Sequence, residues 1–264
     1  MNIFFVTGIG TEIGKTITSA ILVEYLKADY WKPIQSGDLD FSDTIKVKNL
    51  ISNKKTQFHT ESYRLTQPYS PHYSAQLDGV TINLNEIKIP KTNNNLIIEG
   101  AGGLMVPLND KDLIIDLIKK FNVEVILVSR NYLGSINHTL LSVEALRSRN
   151  IPIKGILFNG ESTPATESII IKQTGLTVIG HIPILNHIDK NDLVVILDEK
   201  GKQFTSREFS QKIDTWMNSS VKKIHFIVTE NLVHLIFFRM NVILKIELLY
   251  LLIKHCTTLC RFFH

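Results

Sequence analysis

At 264 residues the chain is long enough to bury a substantial core as one domain with room for an appendage. A formal net charge of +4 and a pI near 8.9 would suit a nucleic acid or a membrane surface, but the excess is local. Six of the 29 Lys/Arg and two of the 25 Asp/Glu fall in residues 218–264, leaving 23 of each before them, so the body is neutral and the polyanion reading is set aside.

Cys256 and Cys260 lie in that same segment, so the body has no thiol for a disulfide, a zinc site or a nucleophile, which fits a reducing cytoplasm. The N-terminus runs into an apolar stretch with no basic region and small-residue cleavage site, so no secretory signal is expected and the chain reads as cytoplasmic.

In chain order, the apolar run 2–6 is followed by TGIGTEIGKT (residues 7–16), and residues 15–27 read as a helix. A short β-rich segment, a glycine turn and Gly-Lys-Thr at a helix start present bare N–H groups and an ammonium to a polyphosphate. Gly14 lets backbone approach phosphate, Lys15 brings charge, and the Thr16 hydroxyl can ligate Mg2+. The spacing is unusual: counting G-x-x-x-x-G-K-[ST] back from Gly14 lands on Ile9, with Gly8 and Gly10 on either side.

Further apolar, β-branched runs occur at 96–98, 123–128, 153–158 and 178–182, with helix-like segments at 112–121, 135–149 and 163–174 between them. Continuous rather than alternating apolar strands imply burial on both faces, and alternation with helices implies crossovers. The expected fold is α/β: a doubly wound, mostly parallel sheet of the P-loop NTPase kind, flanked by helices, with ligands at the carboxyl ends of the strands. Residues 30–33 read as a short strand, followed by a polar loop and a helix beginning near Ser42. Residues 63–78, rich in Pro, Ser and Tyr, read as a shaped surface loop.

The composition changes after about Trp216. The last 47 residues contain no Gly, Pro, Ala or Asp and are mostly apolar. Charges at Glu230, Arg239, Lys245, Glu247 and Lys254 leave no uncharged span near the ~20 residues a membrane helix needs. The organisation expected is a catalytic domain over 1–217 and an atypical apolar, basic extension over 218–264, with an amphipathic partner helix as the rival reading of the extension.

Glu99 closes an apolar strand before Gly100-Ala101-Gly102-Gly103; a carboxylate opposite a phosphate loop can hold Mg2+, and the alternative is an acid capping a turn. Asp43 could complete the ligands, with Asp38 and Asp40 competing; the Ser42-Asp43 step could equally be a helix N-cap. Lys32, at a strand end, could neutralise charge in phosphoryl transfer, or be a solvated lysine. Residues 133–137, LGSIN, open a second helix N-terminus able to capture an anion, and Asn159 can both donate and accept as an adenine edge requires; a helix cap and a turn residue are the structural alternatives. The histidines show no metal-ligand spacing, and no Ser-His-Asp order is legible.

Taken together, GIGTEIGKT, WKPIQSG, FSD, SPHYSAQ, IIEGAGGLMVPL, ILVSRNYLGSINH, the strand ending in Asn159 and GHIPIL resemble the dethiobiotin synthetase family over roughly residues 1–217. The resemblance implies an ATP- and Mg2+-dependent ligase of biotin biosynthesis. There 7,8-diaminononanoate and CO2 form a carbamate, ATP phosphorylates it, and the neighbouring amine closes a ureido ring. By motif it implies that Glu12, Ile13, Gly14, Lys15, Thr16 and Ile17 line the ATP phosphates, and that Lys15 and Lys32 are catalytic. Thr16, Asp43 and Glu99 would hold Mg2+. Glu99, Gly100, Ala101 and Gly102 would border both ligands, Asn159, Gly160, Pro183, Ile184 and Leu185 would hold adenine, and Ser36 would meet the diamine. It also implies a homodimer in which Leu133, Gly134, Ser135 and Asn137 of one subunit receive the carboxylate tail of substrate bound to the other. The family can place a tyrosine near that carboxylate, and here Pro164–Thr174 has none, with Ser168 near the place.

Two other uses of such a core are set aside. A partitioning ATPase of the deviant-Walker type would carry an extra lysine where Gly10, Thr11 and Glu12 stand. A glutamine-dependent synthetase would need a cysteine the body lacks.

Overall fold

The structure is a computed structural model that describes residues 1–183, 193–198, 205–218, 223–230 and 234–241. The chain divides into two compact units, Met1–Pro183 and Ile184–His264. That division precedes the change in composition near Trp216, so the two boundaries, one of packing and one of composition, do not coincide.

Unit 1 contains, in order, β1 (Ile3–Gly8), α1 (Lys15–Leu26), β2 (Asp29–Trp31), β3 (Ile34–Ser36), α2 (Asp43–Leu50), β4 (Phe58–His59), β5 (Tyr63–Leu65) and α3 (Pro71–Leu77). It continues with β6 (Leu96–Gly103), α4 (Ile114–Phe121), β7 (Glu124–Arg130), α5 (Ser135–Arg147), β8 (Ile153–Asn159), α6 (Pro164–Thr174) and β9 (Val178–Ile182). Seven strands form one sheet in the order β4-β2-β6-β1-β7-β8-β9, and all the pairings in it are parallel. The doubly wound, mostly parallel α/β fold expected from the apolar runs is the fold found.

Successive residues of the strands enter different cores, which is why these strands read as unbroken apolar runs. Phe5, Trp31, Leu96, Ile98 and Val125 pack into one cluster with Ile114, Ile115 and Ile118 of α4. Phe4, Val6, Tyr30, Ile97, Ile126 and Val128 pack into another with Ala20 and Val23 of α1. Because β6 lies between β2 and β1, and all three run parallel, the loops after β1, β2 and β6 emerge side by side at the carboxyl edge.

Two sequence expectations are corrected. Residues 63–78 are not one loop: Tyr63–Leu65 pairs with Ile34–Ser36 as a separate two-stranded ribbon, and Pro71–Leu77 is a helix with Pro71 in its first turn. Proline fits there because the first helical N–H has no intrahelical partner. β6 does not stop at Glu99 but runs on to Gly103, and Gly100 has room beside Phe5 only without a Cβ, which would sit 2.8 Å from Cε1.

In unit 2, β10 (Leu193–Asp198) pairs in parallel with β11 (Lys223–Glu230), which pairs antiparallel with β12 (His234–Asn241). Helix α7 (Ser206–Met217) starts in a capping box, the Thr205 hydroxyl accepting from the Glu208 N–H and the Glu208 carboxylate accepting from the Thr205 N–H. Among the described residues no helix is long and apolar enough to cross a membrane.

Candidate active site

The loop between β1 and α1 is shaped by two backbone inversions, at Glu12 (φ 56°) and Gly14 (φ 96°). Such alternation turns consecutive N–H groups toward one concavity, the geometry that receives anionic oxygens. A Cβ on Gly14 would lie 2.1 Å from Nδ2 of Asn159 at a φ that side chains rarely adopt, so this position calls for glycine, and one on Gly8 would lie 2.0 Å from Cδ1 of the buried Ile13 and displace it. Ile13 is the peg that seats the loop on the sheet, which explains the apolar residue in so polar a motif. Helix α1 then begins with Thr18 N–H donating to the Gly14 carbonyl at 2.9 Å.

Lys15 curls back over its own loop and donates to the Gly10 carbonyl at 2.9 Å. Burial, followed by the Lys32 ammonium, pulls its pKa down to about 8, against which Glu99 and Asp43 pull up. A cation this close to losing its proton is poised to gain from an arriving polyanion.

Lys32 stands just beyond β2, nearly buried, with Nζ 2.8 Å from Oδ2 of Asp43 and 3.3 Å from Oε1 of Glu99; it also reaches the Gly100 carbonyl at 3.4 Å. Burial opposes its charge, but Glu99 and then Asp43 outweigh that and raise its pKa, so it is a fixed cation. Asp43 is the first residue of α2; burial would raise its pKa, but Lys32 and then Lys46 lower it. Gln35 ties this helix start down, its side-chain oxygen accepting from the Asp43 N–H at 3.3 Å, while Ser42 is the cap, accepting from Ile45 N–H. The competitor Asp38 is turned outward onto Lys46 at 2.7 Å.

Glu99 is 1% exposed. Its Oε1 accepts from the Thr16 hydroxyl at 2.8 Å and faces Lys32, and its Oε2 accepts from the Tyr30 hydroxyl at 2.9 Å. Tyr30 is fully buried; burial first, then the charges of Glu99 and Asp43, raise its pKa well above the ordinary phenol value and keep it a donor. Sequence reading passed over Tyr30, because a tyrosine in a short apolar strand looks like core.

Lys15, Thr16, Lys32, Asp43 and Glu99 therefore form one constellation drawn from α1, β2, α2 and β6. Ser36 ends β3 with its hydroxyl buried and unpartnered. Asn159 ends β8 and donates to the Ile13 carbonyl at 2.9 Å, holding the phosphate loop from the adjoining strand edge. Gly160 donates to the Ile182 carbonyl at 2.7 Å, bringing the end of β9 and Pro183 next to Asn159. Ile184 and Leu185 lie outside the described residues. Leu133, Gly134, Ser135 and Asn137 form the start of α5 after β7; Leu133 is fully exposed, and the Ser135 hydroxyl is buried without a partner. Beside that start, Arg130 reaches from the end of β7 to the Glu12 carbonyl at 3.3 Å.

The Thr16 hydroxyl and the Asp43 and Glu99 carboxylates are hard oxygen donors of the kind Mg2+ takes alongside phosphate oxygens and water. Among the described residues no cluster of three or more His, Cys, Asp or Glu is placed to hold a metal. By its chemistry the donor set fits a hard divalent cation.

An AAA domain family model matches residues 2–192. The ATP-dependent dethiobiotin synthetase BioD of Christiangramia forsetii is 52% identical over 204 residues, 77% of this chain and 96% of that protein. The chain belongs to the ATP-dependent dethiobiotin synthetase family. The synthetase of Cytophaga hutchinsonii is 51% identical over 183 residues, covering 69% of this chain and 88% of that one. A ParA family ATPase from Chlorobium tepidum TLS has been solved that is 14% identical, with a TM-score of 0.44 and coverage of 69% and 83%. As a dethiobiotin synthetase, the chain brings the start of α1, a second lysine and a strand-borne glutamate into contact.

Proposed function

We propose that this chain condenses 7,8-diaminononanoate with CO2, at the expense of ATP, to give dethiobiotin, ADP and phosphate. The supporting observation is the bridging position of Lys32 between Asp43 and Glu99, with Thr16 on the same glutamate and Lys15 alongside. Family membership supplies the reaction, and the cluster supplies what that reaction needs.

One amine of the diamine attacks CO2 and loses a proton, leaving a carbamate. A carbamate oxygen then attacks the γ-phosphorus of ATP, ADP leaves, and the second amine attacks the carbamoyl carbon of the mixed anhydride, expelling phosphate and closing the ring. Carbamate and triphosphate repel one another, so the catalytic task is mostly positioning and charge cancellation. Lys15 and the N–H groups of residues 12–17 cradle the phosphates, while Lys32 meets the carbamate and the transferring phosphoryl oxygens. Thr16, Asp43 and Glu99 would hold Mg2+, which when bound adds positive charge at the β- and γ-phosphates. Ser36 offers its unpartnered hydroxyl to the diamine end, Gly100, Ala101 and Gly102 border both the diamine and the nucleotide, and Asn159, Gly160 and Pro183 form the described part of the adenine edge.

The carboxylate tail is assigned to the start of α5, where Leu133, Gly134, Ser135 and Asn137 supply a helix N-terminus, in a homodimer with substrate near the interface. Residues 1–217 are taken as the catalytic portion and 218–264 as an extension, and the protein as cytoplasmic. The test is phosphate release with and without the diamine and bicarbonate, with dethiobiotin identified by mass. Release that does not depend on the diamine would favour a nucleotide-switch ATPase instead.

A further inference from the structure

Glu99 is fixed by three donors, and one of them, the Tyr30 hydroxyl, has no role in the mechanism above. Tyr30 lies at the centre of β2, paired in register with Ile97 of β6, and none of it is exposed. Its ring packs beside Phe58 at 5.9 Å, in the apolar cluster that holds Val23, Val47 and Ile97. Phenylalanine would satisfy all of that packing. A hydroxyl in such a place costs desolvation unless it is bonded, and its hydrogen bond is the 2.9 Å donation to Oε2 of Glu99.

A glutamate's terminal torsion is soft, so its two oxygens exchange readily unless one is tied. Here Oε2 is tied to a group that cannot swing away, and Oε1 faces Thr16 and Lys32. We propose that Tyr30 is a positioning residue for the cation site: its phenol anchors Oε2 so that Glu99 presents Oε1 alone on the side of Thr16 and Lys32. This rests on the reading of Glu99 as a cation ligand. Partners that orient a metal-binding carboxylate are commonly worth 10–100-fold in metal affinity or activity.

The test is titration of full-length protein with Mn2+ in the presence of ADP, free Mn2+ being read by electron paramagnetic resonance, on wild type, Tyr30→Phe, Glu99→Gln, the double variant and Phe58→Leu. Tyr30→Phe is expected to weaken Mn2+ binding about 10-fold with an unchanged circular dichroism spectrum, and to add nothing in the Glu99→Gln background. Phe58→Leu, which loosens the ring but spares the hydroxyl, is expected to lower the melting temperature and leave Mn2+ affinity unchanged. If Tyr30→Phe does not fold, 4-fluorophenylalanine at position 30 fills the hydroxyl's space without a donor and takes its place in the titration. Wild-type affinity in the donor-less variant, or an equal loss in Phe58→Leu, overturns the proposal. If Glu99→Gln itself binds Mn2+ like wild type, the cation-ligand reading of Glu99 fails instead.

Discussion

Replacing Lys32 by methionine keeps the apolar stem and removes the ammonium. The two carboxylates it bridges at 2.8 and 3.3 Å then lose their shared cation, Glu99 fully buried and Asp43 mostly so. Breaking a buried pair from one side costs about 3–5 kcal/mol. Glu99 keeps Thr16 and Tyr30, and Asp43 keeps Lys46 at 3.4 Å, which places this case at the low end, about 3 kcal/mol. For a chain of this size that lowers the melting temperature by roughly 6–12 °C at neutral pH. The loss has a definite pH dependence. Asp43 has a depressed pKa in the folded protein, so its pairing stabilises the fold above the unfolded carboxylate pKa, and that stabilisation is lost as pH falls through the folded value. In Lys32→Met, Asp43 has lost its nearer cation and takes up a proton at higher pH than in wild type, so the deficit against wild type shrinks between pH 7 and pH 4. Scanning calorimetry across that range measures it, and diamine-dependent phosphate release should fall about 10²–10³-fold at pH 7.5. An equal deficit at both pH values, or turnover within a few-fold of wild type, would refute the bridging role.

Further outcomes are expected at the phosphate loop and the chain end. Lys15→Ala should abolish diamine-dependent phosphate release with an unchanged circular dichroism spectrum; retained turnover removes the phosphate-loop assignment. In wild type, the Kd of ATP, measured with a fluorescent analogue and no diamine, should rise as pH climbs through about 8, where free Lys15 loses its proton. A pH-independent Kd from 7 to 9 would show that Lys15 does not set affinity. Gly14→Ala, forced to φ 96° and into Asn159, should cost about 1–3 kcal/mol and eliminate nucleotide binding; normal binding would mean that the loop has another shape in solution. A chain ended after Asn218 should keep diamine-dependent turnover, and loss of activity with the fold retained would give residues 219–264 a part in catalysis.

Much of the site could be read without coordinates because it is local. The β1 strand, the phosphate loop and α1 lie within 26 residues, and their pattern of apolar run, glycine turn and Gly-Lys-Thr carries its own geometry. The parallel sheet was legible too, since strands buried on both faces have no polar alternation to disguise them. The ribbon and helix within residues 63–78 escaped because three-residue and seven-residue elements have too few turns to show a period.

From its sequence alone, this protein is a P-loop α/β enzyme of its family, with Lys15, Thr16, Lys32, Asp43 and Glu99 as the residues to watch. Only the tertiary structure decided that Lys32 lies between two acids that are 11 and 67 residues away along the chain, and that Asn159 braces a loop 146 residues before it. Only it showed Tyr30 to be wired to Glu99. A hydrogen bond between neighbouring parallel strands joins residues separated by a whole crossover, and no local pattern of side chains records which strand will lie beside which.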